Sequence, residues 1–137
     1  MTKDEIIDLI KDTAMGFLAT TEGNQPRVRP MMPHLTEDGN LLLALLARSR
    51  TIPQIKKDPL VEICYVDRKM AYCRLTGKAS ISNDAEKKEL VWNNIPMLRQ
   101  YFSSSKDANF VLVEIEINTA EAMTPTQKAP EVIDLKA

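Results

Sequence analysis

Pro26, Pro30 and Pro33 fall in a run that otherwise reads as extended chain, and they constrain the fold more than any other feature. Proline fixes φ and carries no N–H, so this run cannot be helical and sits badly in a central, fully paired strand. Residues 26–35 are therefore expected as an irregular or edge strand. The neighbouring segments supply the rest of a sheet. Residues 15–21 are apolar and end at the turn signal Glu22-Gly23-Asn24. Glu37-Asp38-Gly39-Asn40 makes a second hairpin turn into residues 41–47, an unbroken apolar run whose length favours a strand buried on both faces.

Three more strands follow. Residues 61–67 form one. Residues 70–81 alternate, with Cys73, Leu75, Gly77, Ala79 and Ile81 on one face and Tyr72, Arg74, Thr76, Lys78 and Ser80 on the other. Residues 109–117 place Val111, Val113, Ile115 and Ile117 inward and Glu114 and Glu116 outward. Helices separate some of these segments. Thr2 and Glu5 have capping-box spacing before the apolar stripe Ile6, Ile7, Leu9 and Ile10, which predicts a helix over 2–14 that covers one end of a sheet. A short helix starts at Arg48-Ser49-Arg50-Thr51 and ends before Asp58-Pro59. Asn83 and Glu86 suggest a capped helix to about residue 94, and Pro96 begins a helical piece to Phe102. From Thr119 the tail shows no firm pattern. Hairpins dominate and no βαβ series appears, so the expected fold is mainly β with flanking helices, a six-stranded antiparallel barrel. Residues 1–137 are expected to form one domain, with 119–137 as a C-terminal tail.

Charge narrows the function. Lys and Arg number 18 against 19 Asp and Glu, which argues against a nucleic-acid or membrane-surface partner. No apolar run approaches a membrane span, and the acidic start Thr2-Lys3-Asp4-Glu5 is unlike a signal peptide, so the cytoplasm is the expected compartment. Cys64 and Cys73 lie in apolar segments outside any CxxC pair, and His34 is the single histidine; no metal site is expected.

The basic residues between Arg27 and Lys57 are the place for chemistry. Period-two alternation puts Arg27, Arg29 and Met31 on one face. Arg48, Ser49, Arg50 and Thr51 follow the third strand directly and offer guanidinium and hydroxyl groups suited to phosphate. Because the second and third strands are hairpin neighbours, Arg29 can converge with Ser49 and Arg50 on one phosphate; a solvated charged rim is the competing account. His34 is open to two readings, proton donor or exposed strand-end residue. Trp92, Tyr101 and Phe102 suit a ligand cover or ordinary packing equally.

Pro26-Arg27-Val28-Arg29-Pro30-Met31-Met32, followed by Ser49-Arg50-Thr51-Ile52-Pro53-Gln54-Ile55-Lys56-Lys57-Asp58-Pro59, resembles the FMN-binding split-barrel family of pyridoxamine 5'-phosphate oxidase and the general-stress and nitroimidazole-resistance proteins. Gly16-Phe17-Leu18-Ala19-Thr20, the spacing of Leu75 and Gly77, and the region from Leu90-Val91-Trp92 to Tyr101-Phe102 share the resemblance. It implies a split β-barrel and a homodimer holding FMN at the subunit interface. It implies that Arg29, Ser49, Arg50 and Thr51 hold the phosphate, with Pro30, Met31 and Met32 beside the flavin ring. His34 stands where the oxidase has a lysine, and Tyr72 where it has a glutamine near the flavin. Ala44 and Leu45 replace two hydroxyl-bearing residues of the third strand, Thr51 replaces a lysine, and the arginine-containing C-terminal substrate segment is missing. The implied function is an FMN-dependent oxidoreductase acting on a small molecule other than pyridoxamine phosphate. The alternatives are a non-enzymatic module that uses the same barrel for flavin, haem or another anionic ligand, and a dimeric scaffold without a ligand.

Overall fold

Proline placement decides where the sheet ends. In the computed structural model, which describes residues 1–136, the chain runs α1 (Lys3–Thr13), β1 (Gly16–Glu22), β2 (Gln25–Met31), β3 (His34–Leu35), β4 (Leu41–Leu46), α2 (Thr51–Lys57) and β5 (Leu60–Val66). It continues through β6 (Tyr72–Ser82), α3 (Ala85–Asn94), a 3₁₀ turn (Pro96–Gln100), β7 (Phe110–Met123) and β8 (Glu131–Ile133). All strand pairs are antiparallel, in the order β2-β1-β5-β6-β7-β4-β3, with β8 added to β7. The edge strands β2 and β3 are separated in sequence only by Met32 and Pro33. Three Cα steps span at most ~11 Å, so the sheet must curl until its two edges face each other. The result is a barrel split between β2 and β3. Pro30 and Pro33 have no N–H to donate across that gap.

The strand count differs from the six expected. The run 26–35 divides at Met32-Pro33 into two strands on opposite edges, and the tail contributes β8. The expected end of the last strand at residue 117 is also corrected, since β7 continues to Met123. The reason is a bulge: Thr76 pairs with Thr119 while Gly77 pairs with Ile117, so Asn118 is extra. That insertion breaks the period of two, and Ala120 and Ala122 take the inward positions after it. Gly77 is required there, because a Cβ would stand 2.2 Å from the Glu116 carbonyl oxygen. The tail is not loose: β8 pairs with residues 120–122 and Leu135 is buried. Ala137 of the expected 119–137 tail lies outside the described residues.

Two other local expectations hold, and a third shifts by one residue. Thr2 and Glu5 form a reciprocal capping box at α1, whose Ile6, Leu9 and Ile10 enter the main core with Leu18, Leu43, Ile63, Leu75 and Ile115. Each such side chain contributes about 1.5–3 kcal/mol relative to exposure. The α3 cap is Asp84, which accepts from the Glu86 and Lys87 amides, one residue beyond the expected Asn83. Leu41, Leu43 and Leu45 of β4 face the main core, while Leu42 faces a second cluster with Val91, Ile95, Leu98, Phe102, Phe110 and Leu112. β4 is thus buried on both faces, as its unbroken apolar run predicts.

Candidate functional site

The split in the barrel opens into a cleft. Its cavity measures about 690 Å³ and is bounded by Pro30, Met31 and Met32 at the end of β2 and by Leu43, Ala44, Leu45 and Leu46 of β4. Tyr101 and Phe102, after the 3₁₀ turn, form an aromatic wall. Polar groups enter at Arg48 and Ser49, in the connection from β4 to α2. Pro30, Met31, Met32, Leu45 and Ser49 therefore line one cleft. Arg48 joins them as a lining residue, one of the four polar residues after the third strand that suit a phosphate, although the family resemblance gave it no role.

Arg29 and Arg50 meet in a polar network beside the hairpin of β1 and β2. Leu18 and Thr20 face inward on β1 and pair with Arg29 and Arg27, which puts both arginines on that side of the sheet. The half-buried Arg29 donates to the Leu18 carbonyl at 3.1 Å and to Gln54 Oε1 at 2.7 Å. Burial lowers the Arg29 pKa, yet a guanidinium remains charged throughout the working range of a protein. Gln54 Oε1 also accepts from the Thr20 hydroxyl at 2.6 Å, and its amide nitrogen donates to Glu22 at 3.1 Å. Arg50 is exposed and reaches the same Glu22 carboxylate at 3.4 Å. Arg29 and Arg50 are thereby linked through Gln54 and Glu22. Sequence reasoning missed Thr20, Glu22 and Gln54 as members of this group, because only the packing of α2 against β1 brings them together.

Thr51 and Ser49 form a tight local unit. The Thr51 amide donates to Ser49 Oγ at 3.2 Å, and the Thr51 residue is buried. His34 lies elsewhere, in an adjoining cavity of about 980 Å³ that also contains Lys11, Lys87, Glu37 and Asp38. The two cavities share Met32, Ile95 and Met97 as wall. Burial, then the nearby Lys11 charge, pushes the His34 imidazole below its ordinary pKa and favours the neutral ring. Tyr72 lines neither cavity: its hydroxyl is 3.6 Å from Met123 Sδ, and the Arg74 guanidinium stands 5.7 Å from its ring centre. Among the described residues no cluster of three or more His, Cys, Asp and Glu could hold a metal ion. Burial raises the pKa of both thiols, that of Cys73 to about 12, so neither is poised as a thiolate nucleophile. No helix among the described residues is long and apolar enough to cross a membrane.

A sequence profile of the family described as "Pyridoxamine 5'-phosphate oxidase like" matches residues 1–133. The chain belongs to this family. It is 28% identical over 141 aligned positions to General stress protein 26 of Bacillus subtilis, covering 97% of this chain and 96% of that protein. A solved NimC/NimA family protein from Clostridium acetobutylicum is 26% identical, with a TM-score of 0.81 over 95% of this chain and 90% of the other. A heme-binding protein from Mycobacterium smegmatis is 16% identical, with a TM-score of 0.80 over 95% of this chain and 56% of the other; that likeness concerns the fold alone. Together these establish the antiparallel split barrel as the family fold and leave the ligand to be argued from the cleft.

Proposed function

We propose that this family member binds FMN in the split of the barrel and serves as a flavin-dependent oxidoreductase for a small molecule. One observation carries the reading. The residues at and just after the end of β2 that line the apolar cleft, Pro30 to Met32, adjoin Arg29 in the chain, and the lining residue Ser49 adjoins Arg50. A cleft of this size, apolar on its walls and basic at one end, matches an amphiphile with a flat ring system and a phosphate. Arg29, Ser49, Arg50 and Thr51 would hold the phosphate by charged and hydroxyl hydrogen bonds. Pro30, Met31, Met32 and Leu45 would form the apolar wall that excludes water from the ring. Bound flavin supplies the electron or hydride chemistry. His34 and Tyr72 are the further positions of the proposed site, outside the main cleft in a single chain.

A second copy of the chain fits the same reading. Phe17, Val28 and Pro30 lie on one face of β1 and β2, where Phe17 pairs with Pro30 and Ala19 with Val28. Phe17 is 45% exposed and Val28 is 70% exposed. A homodimer would cover this apolar edge and bring a second subunit to the open split. Residues 1–137 acting as one domain, in the cytoplasm, belong to the same proposal.

The second reading is a non-enzymatic module holding flavin or haem. Ala44, Leu45 and Leu46 favour it, since they present no side-chain donor to a ring in the cleft. Titration with FMN, followed by an absorption spectrum and a reductant-driven turnover assay, separates the readings. Uptake with turnover supports the enzyme, and uptake of flavin or haem without turnover supports the module. A folded protein that takes up no FMN defeats the flavin reading.

A further inference from the structure

Two arginines converge on a single carboxylate at the end of the β1–β2 hairpin, and a third, Arg29, joins them through Gln54. Arg27 donates to Glu22 Oε1 from Nε at 3.2 Å and from Nη2 at 3.0 Å, and Arg50 Nη2 is 3.4 Å from the same oxygen. Glu22 Oε2 accepts from Gln54 Nε2. Gln54 is 6% exposed, and its amide orientation is dictated by its neighbours. The Thr20 hydroxyl and Arg29 both direct donors at Oε1, so Nε2 must face Glu22. Arg27 and Arg50 thus set two positive charges directly on one negative charge, and Arg29 adds a third positive charge to the cluster through Gln54.

We propose that Glu22 is a resident counter-anion, displaced when this cluster takes a phosphomonoester dianion, and that it sets both the affinity and the charge selectivity of the site. The inference rests on the phosphate end of the flavin reading above. A tethered carboxylate has an effective concentration in the millimolar range or above, so a free monoanion at lower concentration does not displace it. A phosphate dianion brings twice the charge and three acceptor oxygens on one centre, enough to engage more than one arginine together. Glu22 is well placed to yield. Its side chain is 39% exposed and that of Arg50 is 79% exposed, and ion pairs at such surfaces are weak. The Arg27 hydrogen bond, then that of Gln54, holds the Glu22 carboxyl below its ordinary pKa, so the counter-anion is charged at neutral pH.

Equilibrium binding of FMN and of riboflavin, which lacks the phosphate, to wild type and Glu22→Gln tests this. Glutamine keeps an acceptor for Arg27 and Gln54 and removes the charge. The expected result is FMN bound roughly fivefold more tightly by Glu22→Gln, the scale of one exposed ion pair, with riboflavin unchanged. Unchanged or weaker FMN binding, or equal tightening of both flavins, overturns the inference while leaving the flavin reading standing. Should neither variant bind flavin, that reading fails and inorganic phosphate decides. A larger phosphate-induced rise in melting temperature for Glu22→Gln than for wild type then supports the counter-anion, and an equal rise overturns it.

Discussion

Arg29 on the edge strand donates to the side-chain oxygen of Gln54 on α2 at 2.7 Å, and the same oxygen accepts from Thr20 at 2.6 Å. A buried acceptor shared by two donors ties the edge strand, its hairpin partner and the helix into one unit. Replacing Gln54 with Leu leaves the Thr20 hydroxyl and part of the Arg29 guanidinium without that partner. A loss of about 1–3 kcal/mol in unfolding free energy is expected, measured by urea denaturation. Wild-type stability in the variant would show that the network is dispensable.

On the flavin reading, Arg29 and Arg50 differ in weight although both are charged. Arg29→Ala should weaken FMN binding by about 1.5–3 kcal/mol through loss of a charged hydrogen bond. Arg50→Ala should act in the same direction and by less, since its side chain is 79% exposed and solvent screens it. Fluorescence titration with FMN measures both. An unchanged dissociation constant would remove the residue concerned from the phosphate grip.

His34 offers a test through pH. Its folded pKa lies below the ordinary 6.5 because burial, and then the Lys11 charge, disfavours the imidazolium. The unfolded chain therefore takes up a proton first as pH falls. His34 contributes its full stability above about pH 6.5 and loses it progressively below, down to the folded pKa. Proton NMR of the single imidazole should show a midpoint below 6.5 in wild type and a rise toward 6.5 in Lys11→Gln. A midpoint that does not move would exclude the lysine as a cause.

Gly77→Ala tests the bulge. The added Cβ meets the Glu116 carbonyl oxygen at 2.2 Å, and backbone cannot step aside as a flexible side chain does. Overpacking of this kind costs about 1–3 kcal/mol or more, and a lower thermal midpoint is the expected reading. Tolerance of alanine would mean that β6 and β7 can slide past each other at that point.

The exposed apolar edge yields a final test. Phe17→Glu places a charge on the face proposed for a second subunit, where Phe17 stands 45% exposed in a single chain. Analytical ultracentrifugation should find a dimer for wild type and a shift toward monomer for Phe17→Glu. A wild-type monomer at micromolar concentration would argue against a two-subunit flavin site.

Much of the fold was legible where local chemistry and tertiary placement agree. Thr2 with Glu5 announces α1, the prolines announce an edge, and the apolar run 41–47 announces a strand covered on both faces. Legibility failed at Asn118, because one inserted residue reverses the alternation and hides β7 beyond residue 117. It failed again at residues 131–133, which carry little apolar signal and become a strand by pairing with β7.

The candidate site divides along the same line. By itself the sequence determined a run of residues, Arg29 to Met32 and Ser49 to Thr51, whose types suit a phosphate and an apolar ring, because charge, hydroxyl and proline chemistry belong to each residue wherever it lies. Only the tertiary structure decided that Met31, Leu45 and Ser49 share a cleft, that His34 falls in the adjoining cavity, and that Tyr72 lines neither. It also brought Glu22 and Gln54 among the arginines. These are long-range relations, set by the curl of the sheet and the seat of α2, and no local pattern encodes the distance between residues separated by some thirty positions of chain.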